Sequence, residues 1–288
     1  MDNTNLPKAE EDFTALLEEW YVARGVPREY PLFSYWVEAT GPATYQAGER
    51  IARELSSLTS LEGKLVLDVG CGFGGAISIL DHMGARCVGI DMSQEELVLC
   101  RQRLLLHGLT TSVLCADAYN MPFSNECFDI VICTEVLEHV RDKNGLISEM
   151  SRVLKKGGVL YLSFPNLLSL RNVWSDPHYR LLGVTLLPIP VARWYTRIRV
   201  GRNYDVEMLP IPPLIARVCA KKGIEVYFVN ASEEVLRRKI EVPSSINNKM
   251  LRIIFTVFSS LGLRRLLKAA VRLKASTRPN AILAGFKS

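Results

Sequence analysis

Between Lys64 and Pro165 the chain alternates short apolar runs with amphipathic segments, and this alternation limits the fold more than any other feature. The runs "KLVLDVG", "RCVGID", "TSVLCAD", "FDIVICTE" and "GGVLYLSFP" are rich in Val, Ile and Leu and read as buried strands. Helices are expected over residues 74–83, from Ser93 to about Leu106, and over 143–154. Ser93 with Glu96 three residues on is a capping-box start. Strands separated by helices build right-handed βαβ units. The expected class is therefore α/β with a doubly wound sheet, which binds ligands at the carboxyl ends of its strands.

Those ends carry the chemistry. The first strand leads through Asp68 into Gly70, Cys71, Gly72 and Gly74, and Gly70, Gly72 and Gly75 satisfy G-x-G-x-x-G. Such a turn lets a cofactor approach the backbone at a helix start. Taken alone it admits any adenosine-bearing cofactor, NAD included. Asp68 narrows the choice, because a carboxylate beside the turn repels a pyrophosphate and suits a positive charge. The second strand ends in Asp91, followed by Met92; an acid there accepts hydrogen bonds from ribose hydroxyls. The third ends in Asp117 and Ala118, an acid for an adenine amino group with Met92 and Ala118 as apolar faces for the ring. The fourth ends in Thr134 and Glu135. Acids at successive strand ends, with no basic residue for phosphate, favour an adenosine carrying a sulfonium and an α-amino group over NAD or FAD.

As a set, "VLDVGCGFGG", "VGIDMS", "ADAYNMPFSNECFDIVICTEVLEHV" and "RVLKKGGVLYLSFPN" resemble the class I S-adenosyl-L-methionine-dependent methyltransferases, in the small-molecule branch that includes ubiquinone and menaquinone biosynthesis. The likeness covers about residues 60–165. It implies a seven-stranded Rossmann-like sheet whose last strands, "IEVYFVN" and "NAILAGFKS", form an antiparallel edge hairpin. It also implies S-adenosyl-L-methionine as cofactor. Asp68, Gly70 and Gly72, with Cys71 and Gly74 in the same turn, would flank its methionine part. Asp91 would hold the ribose, Met92, Asp117 and Ala118 the adenine, and Thr134 would lie beside the sulfonium. The chain departs from the pattern by insertions at about 165–210 and 231–279.

Residues 9–24 and 44–58 read as N-terminal helices, the first with Phe13, Leu16, Leu17 and Trp20 on one face. Residues 1–60 are expected to form a helical cap and 61–288 the methyltransferase domain. The chain lacks the Asn- or Asp-Pro-Pro-aromatic turn of amino methyltransferases and has "CTEVLEHV" instead, which favours an oxygen or carbon acceptor over a nucleic-acid base. Transfer from a sulfonium needs alignment above all, a contribution of roughly 7–11 kcal/mol. Of four histidines, His82 and His107 fall late in helices and read as structural or solvated. His139 follows the fourth strand. His178, in "SDPHYRL", is the leading candidate for base or substrate contact, with His139 second.

Seven cysteines, none in C-x-x-C spacing, read as free thiols in a reducing compartment, and no metal site is expected. The acidic, polar N-terminus reads as no signal peptide, and no run is long enough to cross a bilayer, so the expected location is cytoplasmic. Residues 246–279 hold eight basic residues and no acid, against a net charge of +5 for the whole chain. Their apolar residues recur at helical spacing, a pattern suited to an anionic membrane surface through residues 245–275. That places the protein at the inner face of the membrane as a peripheral protein, with a small-molecule or lipid-like acceptor. The rivals are an RNA methyltransferase using the basic segment and an NAD-dependent oxidoreductase.

Overall fold

The computed structural model describes residues 6–229 and 279–288. The basic segment read as a membrane-facing helix, and with it the insertion at 231–279, lies outside the described residues. Three N-terminal helices, α1 (Leu6–Ala23), α2 (Phe33–Thr40) and α3 (Pro42–Ser56), precede the alternating region. There follow β1 (Leu65–Val69), α4 (Gly75–His82), β2 (Arg86–Asp91), α5 (Gln94–Leu106), β3 (Ser112–Cys115), β4 (Phe128–Thr134), α6 (Lys143–Val153) and β5 (Leu154–Pro165). The remaining elements are α7 (Leu170–Trp174), a 3-10 turn η1 (Val184–Leu186), α8 (Ile189–Val200), α9 (Pro212–Lys221), β6 (Ile224–Phe228) and β7 (Asn280–Lys287).

The seven strands form one sheet in the order β3-β2-β1-β4-β5-β7-β6. The reversal of order beside β1 is the switch point at which such sheets bind ligands. β1 pairs in parallel with β2 and with β4, and β2 with β3. Aliphatic residues on both faces bury β1, β4 and β5 almost throughout, as parallel strands require. Ser93 caps α5 as expected, its hydroxyl accepting from the Glu96 N–H at 3.2 Å. The expected strands are all present, with β5 starting earlier than its glycines suggested.

By internal contacts the described residues divide into two compact units. The first comprises 6–136, 144–161 and 286–288; the second comprises 137–143, 162–229 and 279–285. In the first, α1 and α2 pack an aromatic cluster of Phe13, Leu17, Phe33 and Val37 against Phe73 and Leu99, with Trp20 and Trp36 alongside. Phe13 and Leu17 of the expected face are buried, but Leu16 stands 40% exposed, because the buried stripe runs through positions 13, 17 and 20. α2 forms between Pro31 and Pro42, and Pro42 sits at the start of α3, where it breaks nothing.

In the second unit, the insertion expected at about 165–210 carries three short helical elements joined by irregular chain. α7, η1 and α8 gather around a small core of Val184, Ala192, Tyr204, Val206 and Leu209. Pro188 and Pro190 bracket the start of α8, the one place where a helix accepts proline without losing a hydrogen bond.

Candidate functional site

The cofactor-side residues all fall in the first unit, and main-chain hydrogen bonds hold them together. Gly70 and Cys71 donate their N–H groups to Ile90 O at 2.8 and 3.0 Å, binding the glycine turn to the end of β2. Gly72 N–H donates to Asp91 Oδ2 at 3.0 Å, and Ser93 N–H to Asp91 Oδ1 at 2.9 Å. Ala116 N–H donates to Asp91 O at 3.0 Å, which brings the end of β3 into the same group. Asp117 accepts from Tyr119 N–H at 2.8 Å and stands exposed beside half-buried Ala118. Met92 is 72% exposed, an apolar side chain left open to a ligand. Thr134 lies one step beyond the Val69–Cys133 pair and therefore flanks the turn.

Two glycines are sterically required. Gly70 has φ +74°, and a Cβ there would lie 2.2 Å from Val136 Cγ2. Gly74, at φ +77°, precedes α4, and a Cβ would meet Cys100 Sγ at 2.6 Å. Cys71 is buried under the turn; hydrogen bonding with Cys100, then burial, pushes its thiol up, so it offers its backbone rather than its sulfur to a ligand. A Gly70→Ala change should therefore lower stability by about 1–2 kcal/mol for the left-handed backbone, plus a steric part. Val136→Ala should recover only the steric part. A denaturant double-mutant cycle measures this, and full rescue by Val136→Ala would refute the backbone contribution.

The electrostatics of the turn are acidic. Asp68 is 3% exposed, and among the described residues its Oδ1 has no hydrogen-bond partner. Burial, and next the charge of Asp91, pushes its carboxyl up to about 7. Glu96, whose Oε2 lies 3.5 Å from the Cβ position of Gly72, is also pushed up to about 7 by burial and then Asp91. Sequence reading treated Glu96 only as a cap. Its approach to the turn depends on α5 folding back over the loop. An orphaned buried carboxylate amid further acids fits a ligand with a fixed positive charge and an ammonium group, and disfavours a pyrophosphate.

The two histidine candidates lie in the second unit, around a carboxylate that sequence reading passed over. Glu138 is fully buried. Its Oε1 stands 3.7 Å from His178 Nε2 and 3.9 Å from His139 Nε2. Asp176, also fully buried, lies 3.6 Å from His178 Nδ1. Although burial opposes it, the hydrogen-bonding and charge contributions of Asp176 and Glu138 win and push His178 up to about 10, so it is an imidazolium at neutral pH. His139 Nδ1 lies 3.3 Å from Asp205 O; in the neutral ring that nitrogen donates, leaving the lone pair on Nε2. Glu138, His139 and His178 have potential ligand atoms within 4.8 Å of one another, a grouping that local spacing could not reveal. Glu135, at the end of β4, has φ +56°, a strained conformation for a non-glycine residue.

His107 and His82 lie apart from both groups, in the first unit. His107 Nε2 is 2.7 Å from Glu10 Oε1, and its ring lies 5.6 Å from that of His82. All seven cysteines are free, five of them buried.

Known proteins resemble the chain. Residues 67–162 match the family described as a methyltransferase domain. The chain is 30% identical over 175 residues to the ubiquinone biosynthesis O-methyltransferase of Thiobacillus denitrificans, a match spanning 60% of this chain and 69% of that one. It is 40% identical over 170 residues to that of Haemophilus ducreyi, spanning 57% and 66%. Among solved structures it is similar to a SAM-dependent methyltransferase from Archaeoglobus fulgidus, with TM-score 0.54, 15% identity, and coverage of 88% of this chain and 99% of that one, a likeness of fold. Sheet order, glycine turn and acid-ended strands thus define a Rossmann-like transferase that binds an adenosine cofactor. The chain belongs to the class I S-adenosyl-L-methionine-dependent methyltransferases, and its cofactor is S-adenosyl-L-methionine.

Proposed function

We propose that the protein methylates an oxygen of a small, lipid-like acceptor. The relatives at 30% and 40% identity, both named ubiquinone biosynthesis O-methyltransferases, carry this reading. The absence of an amino-acceptor turn after β4 agrees with it. Bound S-adenosyl-L-methionine supplies a methyl group already activated by a sulfonium. On this reading Asp68 faces the cationic end of the cofactor, Gly70, Cys71, Gly72 and Gly74 present backbone to it, and Thr134 flanks it. Asp91 takes the ribose, while Met92, Asp117 and Ala118 take the adenine. Residues 1–60 act as a helical cap: Trp20 packs edge-on to Phe73 in the turn, and Arg24 pairs with Glu95 on α5.

His139, with its Nε2 lone pair, is the candidate base for an acceptor hydroxyl. His178, held as an imidazolium by Asp176 and Glu138, is assigned to acceptor contact, where a fixed positive charge favours a developing oxyanion. The membrane-facing role of residues 245–275 belongs to the same proposal.

Methyl-labelled cofactor added to a cell extract, followed by separation into organic, aqueous and nucleic-acid fractions, tests the reading. Label should enter the organic fraction and depend on the enzyme. Label in RNA would overturn it, and a thermal shift with NADH but not with S-adenosylhomocysteine would revive the oxidoreductase. His139→Gln should lower kcat by about 10²–10⁴-fold with little change in cofactor affinity. His178→Gln should raise KM for the acceptor as well. His178 also links stability to pH: its raised value makes its contribution complete below about pH 6.5 and lost as pH rises through about 10.

A further inference from the structure

β3 is the outer strand of the sheet, and among the described residues no strand pairs with its far side. Ala116 N–H donates to Asp91 O at 3.0 Å. Parallel strands alternate, so Ser112 and Leu114 turn their backbone groups to β2, while Val113 and Cys115 turn theirs outward. Proteins commonly guard such an edge with charge or proline. Residues 110–116 hold neither. Leu114 is 40% exposed, and on α5 Val98 is 53% and Leu105 62% exposed. Val98, Arg101 and Leu105 share one outward face of α5, while Leu97, Cys100 and Leu104 are buried. Arg101 donates to the outward Val113 O at 3.1 Å, which ties this face of the helix to the edge strand.

An open strand takes another strand, and charge and shape select which. The basic segment 246–279 holds no acid and would bring like charge to Arg101. A lone extended peptide would pair the strand and leave Val98 and Leu105 bare. A second copy of the chain is self-complementary. The helix of a βαβ unit runs antiparallel to its strands. From the level of the Arg101–Val113 contact, Leu114 lies about 3.3 Å toward the carboxyl end of β3. Val98 lies about 4.5 Å in the same direction along α5. One two-fold axis normal to the sheet therefore passes close to both. About that axis Val113 faces the partner's Cys115 in an antiparallel ladder, and the two Leu114 side chains meet. On the helices Val98 meets the partner's Val98, and Arg101 faces the partner's Glu95. The Glu95 side chain is 69% exposed even while it pairs with Arg24, and among the described residues no carboxylate pairs with Arg101. Strand and helix thus point to the same axis by separate routes.

We propose that the chain forms a two-fold dimer through β3 and α5, which joins two seven-stranded sheets into one. The inference is independent of the acceptor reading and uses none of the residues assigned to cofactor or acceptor.

Sedimentation velocity of the full-length protein at micromolar concentration tests it, and the wild type should run as a dimer. Leu114→Lys with Val98→Glu should raise the dimer dissociation constant roughly ten-fold or more. Glu95→Arg alone and Arg101→Glu alone should each weaken the dimer. An equal mixture of those two variants should recover it, because each helix contact then joins opposite charges. In the ladder the two Cys115 side chains are diagonal neighbours, about 7–8 Å apart. A short bismaleimide should therefore cross-link the wild type and fail with Cys115→Ser. A thermal shift with S-adenosylhomocysteine equal to that of the wild type shows that each variant is folded. A monomeric wild type, a dimer untouched by the Leu114/Val98 variant, a charge-reversed mixture no better than its components, or a cross-link that survives Cys115→Ser would each overturn the proposal.

Discussion

Asp68→Asn should cripple cofactor binding and stabilise the free protein. The carboxylate is buried, one of its oxygens lacks a partner among the described residues, and its carboxyl is pushed up to about 7 by burial and then by Asp91. An acid whose native value is raised holds its proton in the folded state where the unfolded chain has released it. Stability therefore falls as pH climbs from about 4 to 7, and above pH 7 the full penalty remains. A shift of this size corresponds to a few kcal/mol, on the order of 1.4 kcal/mol per pH unit. Asparagine fills the same space without the charge and removes the penalty. It also removes the counter-charge that a cationic ligand needs, and losing a hydrogen bond to a charged group costs about 1.5–3 kcal/mol, or roughly ten- to hundred-fold in affinity.

The measurements are thermal midpoints of both proteins from pH 5 to 9, with and without S-adenosylhomocysteine, and calorimetric titration in buffers of different ionisation enthalpy. Wild-type binding should release a proton near pH 6.5, and the variant should release less. Equal cofactor affinity in the two proteins would remove Asp68 from the site. An unchanged midpoint at pH 8 would show that its charge is compensated.

The second large effect concerns the N-terminal helices. Arg103 is fully buried on α5 and uses its whole guanidinium. Nε and Nη2 donate to the Glu10 carboxylate at 2.9 and 2.5 Å, Nη2 also to Gly41 O at 3.0 Å, and Nη1 to Thr44 Oγ1 at 2.9 Å and Phe73 O at 3.4 Å. Its Cζ lies 4.4 Å from the centre of the Phe13 ring. One side chain thus joins α1, the start of α3 and the glycine turn. Although burial opposes it, hydrogen bonding to His107 and Arg103 keeps Glu10 below the usual carboxylate value, so the pair stays charged.

Removing one partner strands the other, so Arg103→Ala should cost about 3–5 kcal/mol. Replacing both with Arg103→Met and Glu10→Leu should cost much less than the sum of the single changes. Urea denaturation of the four proteins measures this. Additive losses would show that the two residues act independently. Cofactor affinity should fall with Arg103→Ala, since the turn loses a donor to Phe73 O.

The sequence made the parallel strands and the acids at their ends readable because each signal is local. A run of Val, Ile and Leu ending in Asp needs no distant partner to be recognised. Ser93 and the glycine turn were equally plain, since capping and left-handed backbone depend on a few neighbouring residues. Glu10, Arg103 and His107 were opaque, because residues 93 and 97 positions apart become one network only after α1 packs on α5. Glu138 looked like one more polar residue in "EVLEHV", and only the approach of His178 reveals it as the buried carboxylate at the centre of a cluster. The helices after Pro165 were obscured by their prolines and by apolar residues that face outward, which blur the helical period.

β7 lies between β5 and β6, although both precede it in the chain. Synthesis therefore delivers the sheet out of spatial order. While the nascent chain carries β5 and β6 alone, the edge of β5 that will receive β7 stays open, and β6 has no neighbour to pair with. About 50 residues separate β6 from β7, so this last pairing is also a long-range closure, slow to form and dependent on the rest of the sheet being in place. Until then the half-built sheet offers a bare apolar edge to other chains, and the yield of folded enzyme depends on how long that edge waits.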